Sequence, residues 1–139
     1  MKELLESIKA NEGFRSKPYY CTNQVLTIGY GFSVEYLELD QEMCDQILEK
    51  KVKKLVDQVN KKWDWVEHLP KKAQHVLYEM VYQLGLNSVS KFKLTLGHLK
   101  NHEFLLASEE MLDSKWAKSD SPDRASRMSA VIASLHVNR

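Results

Sequence analysis

The run Pro18-Tyr19-Tyr20, then Thr22-Asn23-Gln24, then Val25-Leu26-Thr27-Ile28-Gly29-Tyr30-Gly31 interrupts a chain otherwise patterned for helices. β-Branched and aromatic residues flank a polar turn, which predicts strand, turn, strand. Upstream, Leu4, Leu5 and Ile8 share one face of a short helix that Gly13 ends. Downstream, Asp40 is a good N-cap for a long helix. Its stripe is Met43, Cys44, Ile47, Leu48, Val52, Leu55, Val56, Val59 and Trp63, with Lys50, Lys51, Lys53 and Lys54 on the wet side. Pro70 opens the next helix, with Ala73, Val76, Leu77, Met80, Val81 and Leu84 as its core face and Gly85 as its stop. Residues 86–91 read as a polar loop, 92–99 and 104–112 as short helices, and 119–123 as a loop with an N-cap. Ala125, Met128, Val131, Ile132 and Leu135 pattern the last helix. The expected class is α+β, mostly helical, with a small β-hairpin lobe joined by the long helix.

The 139 residues are enough for one domain with a proper core. With 43% hydrophobic and 28% charged residues, the composition excludes a disordered or collagen-like chain. A net charge of +1 lacks the basic footprint of a nucleic-acid binder, so no nucleic-acid partner is expected. Residues 1–40 carry four basic and six acidic side chains and the remainder 16 and 13, a mild cationic bias suited to a polyanionic surface. No apolar run approaches a membrane span, and the opening MKELLESIKANEG is too charged for a signal peptide. Neither membrane insertion nor export is therefore expected. Cys21 and Cys44 do not make a disulfide framework, which suits a reducing compartment.

Glu12 alone, at a helix end, reads as a surface charge. Its company changes that. Eight residues separate Glu12 from Cys21, and five separate Cys21 from Thr27, just before Ile28-Gly29-Tyr30-Gly31. Together with Asn11-Glu12-Gly13-Phe14-Arg15 and Pro18-Tyr19, this resembles the phage-type lysozyme family of muramidases. That family's pattern is a Glu, then Asp or sometimes Cys, then Thr, then a Gly-rich strand end. Met80-Val81-Tyr82-Gln83-Leu84-Gly85, Phe92, Ser114-Lys115-Trp116 and Pro122-Asp123-Arg124-Ala125-Ser126-Arg127 also look like the T-even phage lysozymes. The resemblance runs over residues 4–132. The segment between Phe32 and Asp40 is shorter than in the T-even enzymes, which implies a trimmed small lobe and a more open cleft.

The resemblance implies a lysozyme-like fold in a single domain, 1–139, with a small lobe about 13–40 and a helical lobe about 60–139 plus the N-terminal helix. It implies an endolysin cutting the β-1,4 bond between N-acetylmuramic acid and N-acetylglucosamine in bacterial peptidoglycan. Glu12 is then the proton donor, its protonated form favoured in a partly dry cleft. Arg124 supports it, and as a neighbouring cation pulls its pKa the other way. Cys21 acts as base on water or as nucleophile, and Thr27 orients the water. Tyr82, Gln83, Ser33 and Thr95 bind substrate. The enzyme is expected to be a monomer needing no cofactor. It would be held in the host cytoplasm until a holin lesion releases it to the wall.

An unperturbed thiol is only about 3% thiolate at pH 7, so a useful base needs a lowered pKa. No cation adjacent in sequence supplies one. A glutamate with no carboxylate partner also leaves a lytic transglycosylase open, and a silent wall-binding module is the third reading. His98 and His102 share a helix face without a third ligand, so no metal site is expected. Cys44 and Trp116 read as core, and Trp63 and Trp65 as packing anchors or a stacking platform. Phe32 stands where the family has His, which removes a possible charge pair from the small lobe.

Overall fold

The structure, a computed structural model, describes residues 1–137. Packing divides the chain into two units, Met1–Asp45 and Gln46–Arg139.

The first unit opens with α1 (Lys2–Glu12), which ends at Gly13 as expected. Leu4, Leu5 and Ile8 are exposed on it. The expected hairpin is present as β1 (Arg15–Tyr20) and β2 (Leu26–Gly29), and a third strand, β3 (Phe32–Ser33), joins it. The sheet is antiparallel in the order β1-β2-β3. Tyr19 pairs with Thr27, and Thr27 with Ser33. Gly29 and Gly31 have φ of 70° and 73°, which lets the chain reverse after β2 and lay two more residues beside it. A register irregularity between Arg15 and Tyr19 contains Pro18, which has no N–H to give the ladder.

The β1–β2 connection is a tight loop. Cys21 N–H donates to Val25 O at 3.0 Å, Gln24 N–H donates to Cys21 O at 2.9 Å, and Gln24 sits at φ 64°. That is a three-residue hairpin loop closed by one left-handed residue. Phe32 anchors the sheet by packing rather than by charge. Its ring lies 6.3 Å from Tyr30 edge-on, and Tyr30 lies 5.4 Å from Phe14. It also fills the space beside Gly29, where a Cβ would stand 2.7 Å from the ring. A 3-10 turn, Val34–Tyr36, leads to α2 (Gln41–Lys62). Asp40 caps this helix, its Oδ1 accepting Met43 N–H at 2.8 Å.

The apolar stripe of α2 is buried only at its far end. Val59 is fully buried and Leu55 and Trp63 pack on the core, but Met43, Ile47, Leu48 and Val52 are exposed. Cys44, expected in the core, is exposed with them. The period is right, but the core meets the helix only from Leu55 on. Lys50, Lys51, Lys53 and Lys54 are exposed, as expected. A 3-10 turn (Asp64–His68) follows, where Trp63 and Trp65 lie 6.4 Å apart and pack on the core as anchors.

Helices α3 (Lys71–Leu84), α4 (Leu86–Ser90), α5 (Lys93–Lys100), α6 (Phe104–Leu112) and α7 (Pro122–Ala133) complete the second unit. The expected loop over 86–91 is α4. Its one deeply buried side chain, Val89, plugs into the core and Leu86 packs against it, but two apolar residues in a five-residue helix are too few to show a period. The expected loop after Trp116 begins as a π-helical turn, Trp116–Asp120, where Ser121 N–H donates back to Trp116 O at 2.8 Å. Ser114 Oγ caps its start by accepting Ala117 N–H at 3.2 Å. The core holds 18 buried apolar side chains, all between Val59 and Ile132, with Leu77, Met80, Leu99, Met111 and Ile132 the largest fully buried ones. Trp116 is among them, as expected.

Candidate active site

In the first unit the sheet gathers three of the residues singled out in the sequence. Cys21, in the loop beside β1, and Thr27, on β2, both touch one hydrogen-bonded centre. Thr27 Oγ1 donates to Val25 O at 2.8 Å, the same carbonyl that accepts Cys21 N–H. Thr27 is 5% exposed, the one buried residue described between Met1 and Asp45. Its hydroxyl also favours the ionised form of Cys21. Ser33 is the cross-strand partner of Thr27, so its side chain lies on the same face.

The Cys21 thiol is held below its ordinary pKa. The backbone N–H of Val25 does most of this and that of Asn23 comes next; partial burial opposes them, and the Thr27 hydroxyl and Cys21's own N–H add to the lowering. Hydrogen bonds to a thiolate favour the charged form. No cation takes part. The lowering comes from N–H groups of the hairpin loop itself rather than from a neighbouring lysine or arginine.

Glu12 ends α1, and its side chain turns over the sheet's second reversal. A Cβ on Gly31 would stand 2.8 Å from Glu12 Cδ and would overlap Oε2. Gly31 is therefore the seat of this carboxylate, at a φ of 73° that other side chains rarely adopt. Glu12 is exposed, so the first unit alone does not supply the dry setting expected for it.

The other expected residues belong to the second unit. Tyr82 is 52% exposed on α3. Gln83 beside it is committed at both ends of its amide: Nε2 donates to Ser121 Oγ at 2.7 Å, and Oε1 accepts from Trp116 Nε1 at 3.1 Å. This clip ties α3 to the π-helical turn. Thr95 is buried and lines a cavity of about 450 Å³ with Phe92, Trp116, Glu110, Asp113 and Asp120. Phe92 meets Trp116 edge-on at 6.2 Å. The acidic rim was not singled out from sequence, although Glu110 and Asp113 are three apart and share a helix face. Lys118 holds the Asp113 carboxyl below its usual range through a hydrogen bond of 2.6 Å and its charge. Arg124 is exposed on α7, beside Glu79 and Arg127 at a shallow cavity of about 270 Å³.

Among the described residues no group of His, Cys, Asp or Glu could hold a metal ion; His98 Nδ1 instead faces Glu103 Oε1 at 3.2 Å. Both cysteines are free thiols. No described helix is long and apolar enough to cross a membrane. Comparison with curated proteins finds no match. Residues 9–130 match the profile of the phage lysozyme family, a span holding Glu12, Cys21, Thr27, Gln83 and Arg124, and a glycoside hydrolase of endolysin type is what that family implies. An α+β chain matched over most of its length in this way belongs to the phage lysozyme family.

Proposed function

We propose that this chain is an endolysin muramidase, cutting the β-1,4 linkage between N-acetylmuramic acid and N-acetylglucosamine in peptidoglycan and so lysing the host cell. Breaking a glycosidic bond requires a proton at the leaving oxygen and a nucleophile at the anomeric carbon. Glu12 is the acid, giving its carboxyl proton to the departing sugar oxygen. Cys21 is the second group. As thiolate it takes a proton from a water whose oxygen attacks the anomeric carbon, and Thr27 orients that water. In the alternative course the sulfur itself attacks, and water later releases the sugar with Glu12 taking the proton. The first route inverts the anomeric centre and the second retains it. Arg124 supports Glu12, and Tyr82, Gln83, Ser33 and Thr95 contact the glycan.

The observation that carries this reading is the Cys21 sulfur, set among loop N–H groups with the Thr27 hydroxyl beside it. The enzyme is proposed to act as a monomer without cofactor, in one two-lobed domain, and to wait in the host cytoplasm for a holin lesion.

The test is wall solubilisation by wild type, Glu12→Gln, Cys21→Ala and Cys21→Asp, with mass spectrometry of the released muropeptides. Reducing ends, an inactive but folded Glu12→Gln, a crippled Cys21→Ala and an active Cys21→Asp are expected. Anhydro-muramoyl ends would replace the hydrolase by a lytic transglycosylase. Wall binding without release would make the chain a binding module.

A further inference from the structure

Ser33 Oγ is buried, and among the described residues it is the one buried side-chain oxygen or nitrogen without a hydrogen-bond partner. Its place makes this notable. Ser33 is the N-cap residue of the 3-10 turn Val34–Tyr36, where a serine ordinarily accepts from the turn's free N–H groups, yet it makes no such bond. Its strand register sets it directly across from Thr27. Tyr19, Thr27 and Ser33 are paired across the three strands, and Cys21, two residues past Tyr19 and bonded to Val25 O, lies diagonal to Thr27 on the same face by strand alternation.

The protons of Cys21, Thr27 and Ser33 can be counted. Thr27 has one hydroxyl proton and two lone pairs. In the structure that proton goes to Val25 O. Val25 O also accepts Cys21 N–H at 3.0 Å, so it stays satisfied when Thr27 turns away. A sulfur that has lost its proton is the stronger acceptor, and it draws the Thr27 hydroxyl toward itself. The Thr27 oxygen is then left with free lone pairs and a polarised bond, and Ser33 Oγ, on the residue paired with it across the strands, is a donor without a partner. Each bond in such a chain strengthens the next.

We propose that Ser33 is a positioning residue of the thiol site: its hydroxyl donates to Thr27 Oγ1 when Thr27 donates to the Cys21 sulfur, so that the three side chains act as one relay. Ser33 then favours the ionised sulfur without touching it. The charged and titratable groups on the neighbouring elements are Tyr19, with the Arg15 guanidinium 4.7 Å above its ring, Lys17 and Tyr20 on β1, Tyr30 and Glu12 at the reversals, and Glu35 and Tyr36 after Ser33. None of them contributes to the state of Cys21. The relay deepens the proposed role of Cys21 as base or nucleophile and rests on that reading only for its catalytic consequence.

The test reads the thiol itself. The full chain with Cys44→Ser, so that one cysteine remains, is alkylated with iodoacetamide from pH 6 to 10. Rates are followed by mass spectrometry for the Ser33 parent, Ser33→Ala and Ser33→Thr. Loss of the relay donor should raise the midpoint of the rate profile by about half a unit and slow alkylation at pH 7 about threefold, because the neutral thiol gains. Ser33→Thr should restore the parent profile, since it returns the hydroxyl. An unchanged midpoint in Ser33→Ala, or a Ser33→Thr profile that follows the alanine one, overturns the relay. The readout uses no substrate. The relay can therefore fail while muropeptides are still released, and the muramidase reading can fail while the alkylation midpoint still moves.

Discussion

Residues 1–45 hide a single residue from solvent, and it is a threonine; residues 46–137 hide 18 apolar side chains. The first unit is held by ladder bonds, a loop closed through Cys21 and Val25, and aromatic edges around Tyr30. The second is a helical core of ordinary kind. Apolar burial is the dominant favourable contribution to folding, so the second unit carries most of it. The proposed acid, thiol and hydroxyls all lie in the first, where side chains stay reachable by a polymer too large to enter a core. Chemistry and cohesion are thus divided along the chain, and substitutions can show whether the division is real.

The largest contrast pairs Glu12→Gln with Leu77→Ala. Removing the acid should lower wall solubilisation by about a thousandfold, the size of a general-acid contribution. The melting temperature should not move, because Glu12 is exposed and buries nothing. Leu77 is 1% exposed in the core, and truncation there should cost about 2–5 kcal/mol by denaturant titration. Its specific activity, measured below the unfolding transition, should stay near wild type. A Leu77→Ala protein that loses activity while folded would mean that the site depends on the core of the second unit.

The pH profile sharpens the same contrast within the first unit. Cys21 is lowered from the ordinary thiol value, first by Val25 N–H and then by Asn23 N–H. If the thiolate works, activity rises with pH through the thiol's pKa, and that limb should lie below where an unperturbed thiol would put it. Cys21→Asp should remain active and carry its limb near the carboxylate range of about 4, so activity becomes flat across neutral pH. A wild-type profile flat from pH 6 to 8 would assign catalysis to Glu12 alone.

Much of this was legible in the sequence, for reasons visible in particular residues. The hairpin followed from β-branched and aromatic runs around Thr22-Asn23-Gln24, and the core faces of α3 and α7 followed from period. The third strand did not, because two residues are too few to show alternation and its cause is the pair of left-handed glycines at 29 and 31. α4 did not, because Leu86 and Val89 alone are too few to show a period. The first half of α2 was read as buried because periodicity tells which residues share a face, not whether anything covers that face. At the site, spacing singled out Glu12, Cys21 and Thr27. The sequence shows no cation adjacent to Cys21, and the lowering comes instead from N–H groups two and four residues along, which only the closed loop brings to the thiol. Gly31 as the seat of Glu12 was invisible, since a close approach is made by the folded chain and not by composition.

Gln83 tests whether the second unit depends on polar bonds anywhere. Its amide joins Trp116 Nε1 and Ser121 Oγ, and Trp116 is 2% exposed. Gln83→Leu keeps the bulk but leaves a buried indole N–H without its acceptor, which should cost about 1–3 kcal/mol. Gln83→Glu keeps the acceptor for the indole and should recover most of the loss. If Gln83→Leu melts with wild type, the clip contributes nothing to stability.

The smallest effect compares two exposed carboxylates, one from each region. Asp40 caps α2 through Met43 N–H at 2.8 Å, while Asp113 pairs with Lys118 at 2.6 Å. The two distances are similar, yet their consequences should differ. A cap satisfies a backbone donor that the helix geometry strands, and it lies in the unit that has little apolar burial to fall back on. Asp40→Ala should therefore cost about 1 kcal/mol. The Asp113–Lys118 pair is wet on both sides, with salt and water competing for each partner, so Asp113→Asn should leave the denaturation midpoint where it is. Equal costs for the two would mean that position relative to the core, rather than what a carboxylate bonds to, sets its worth here.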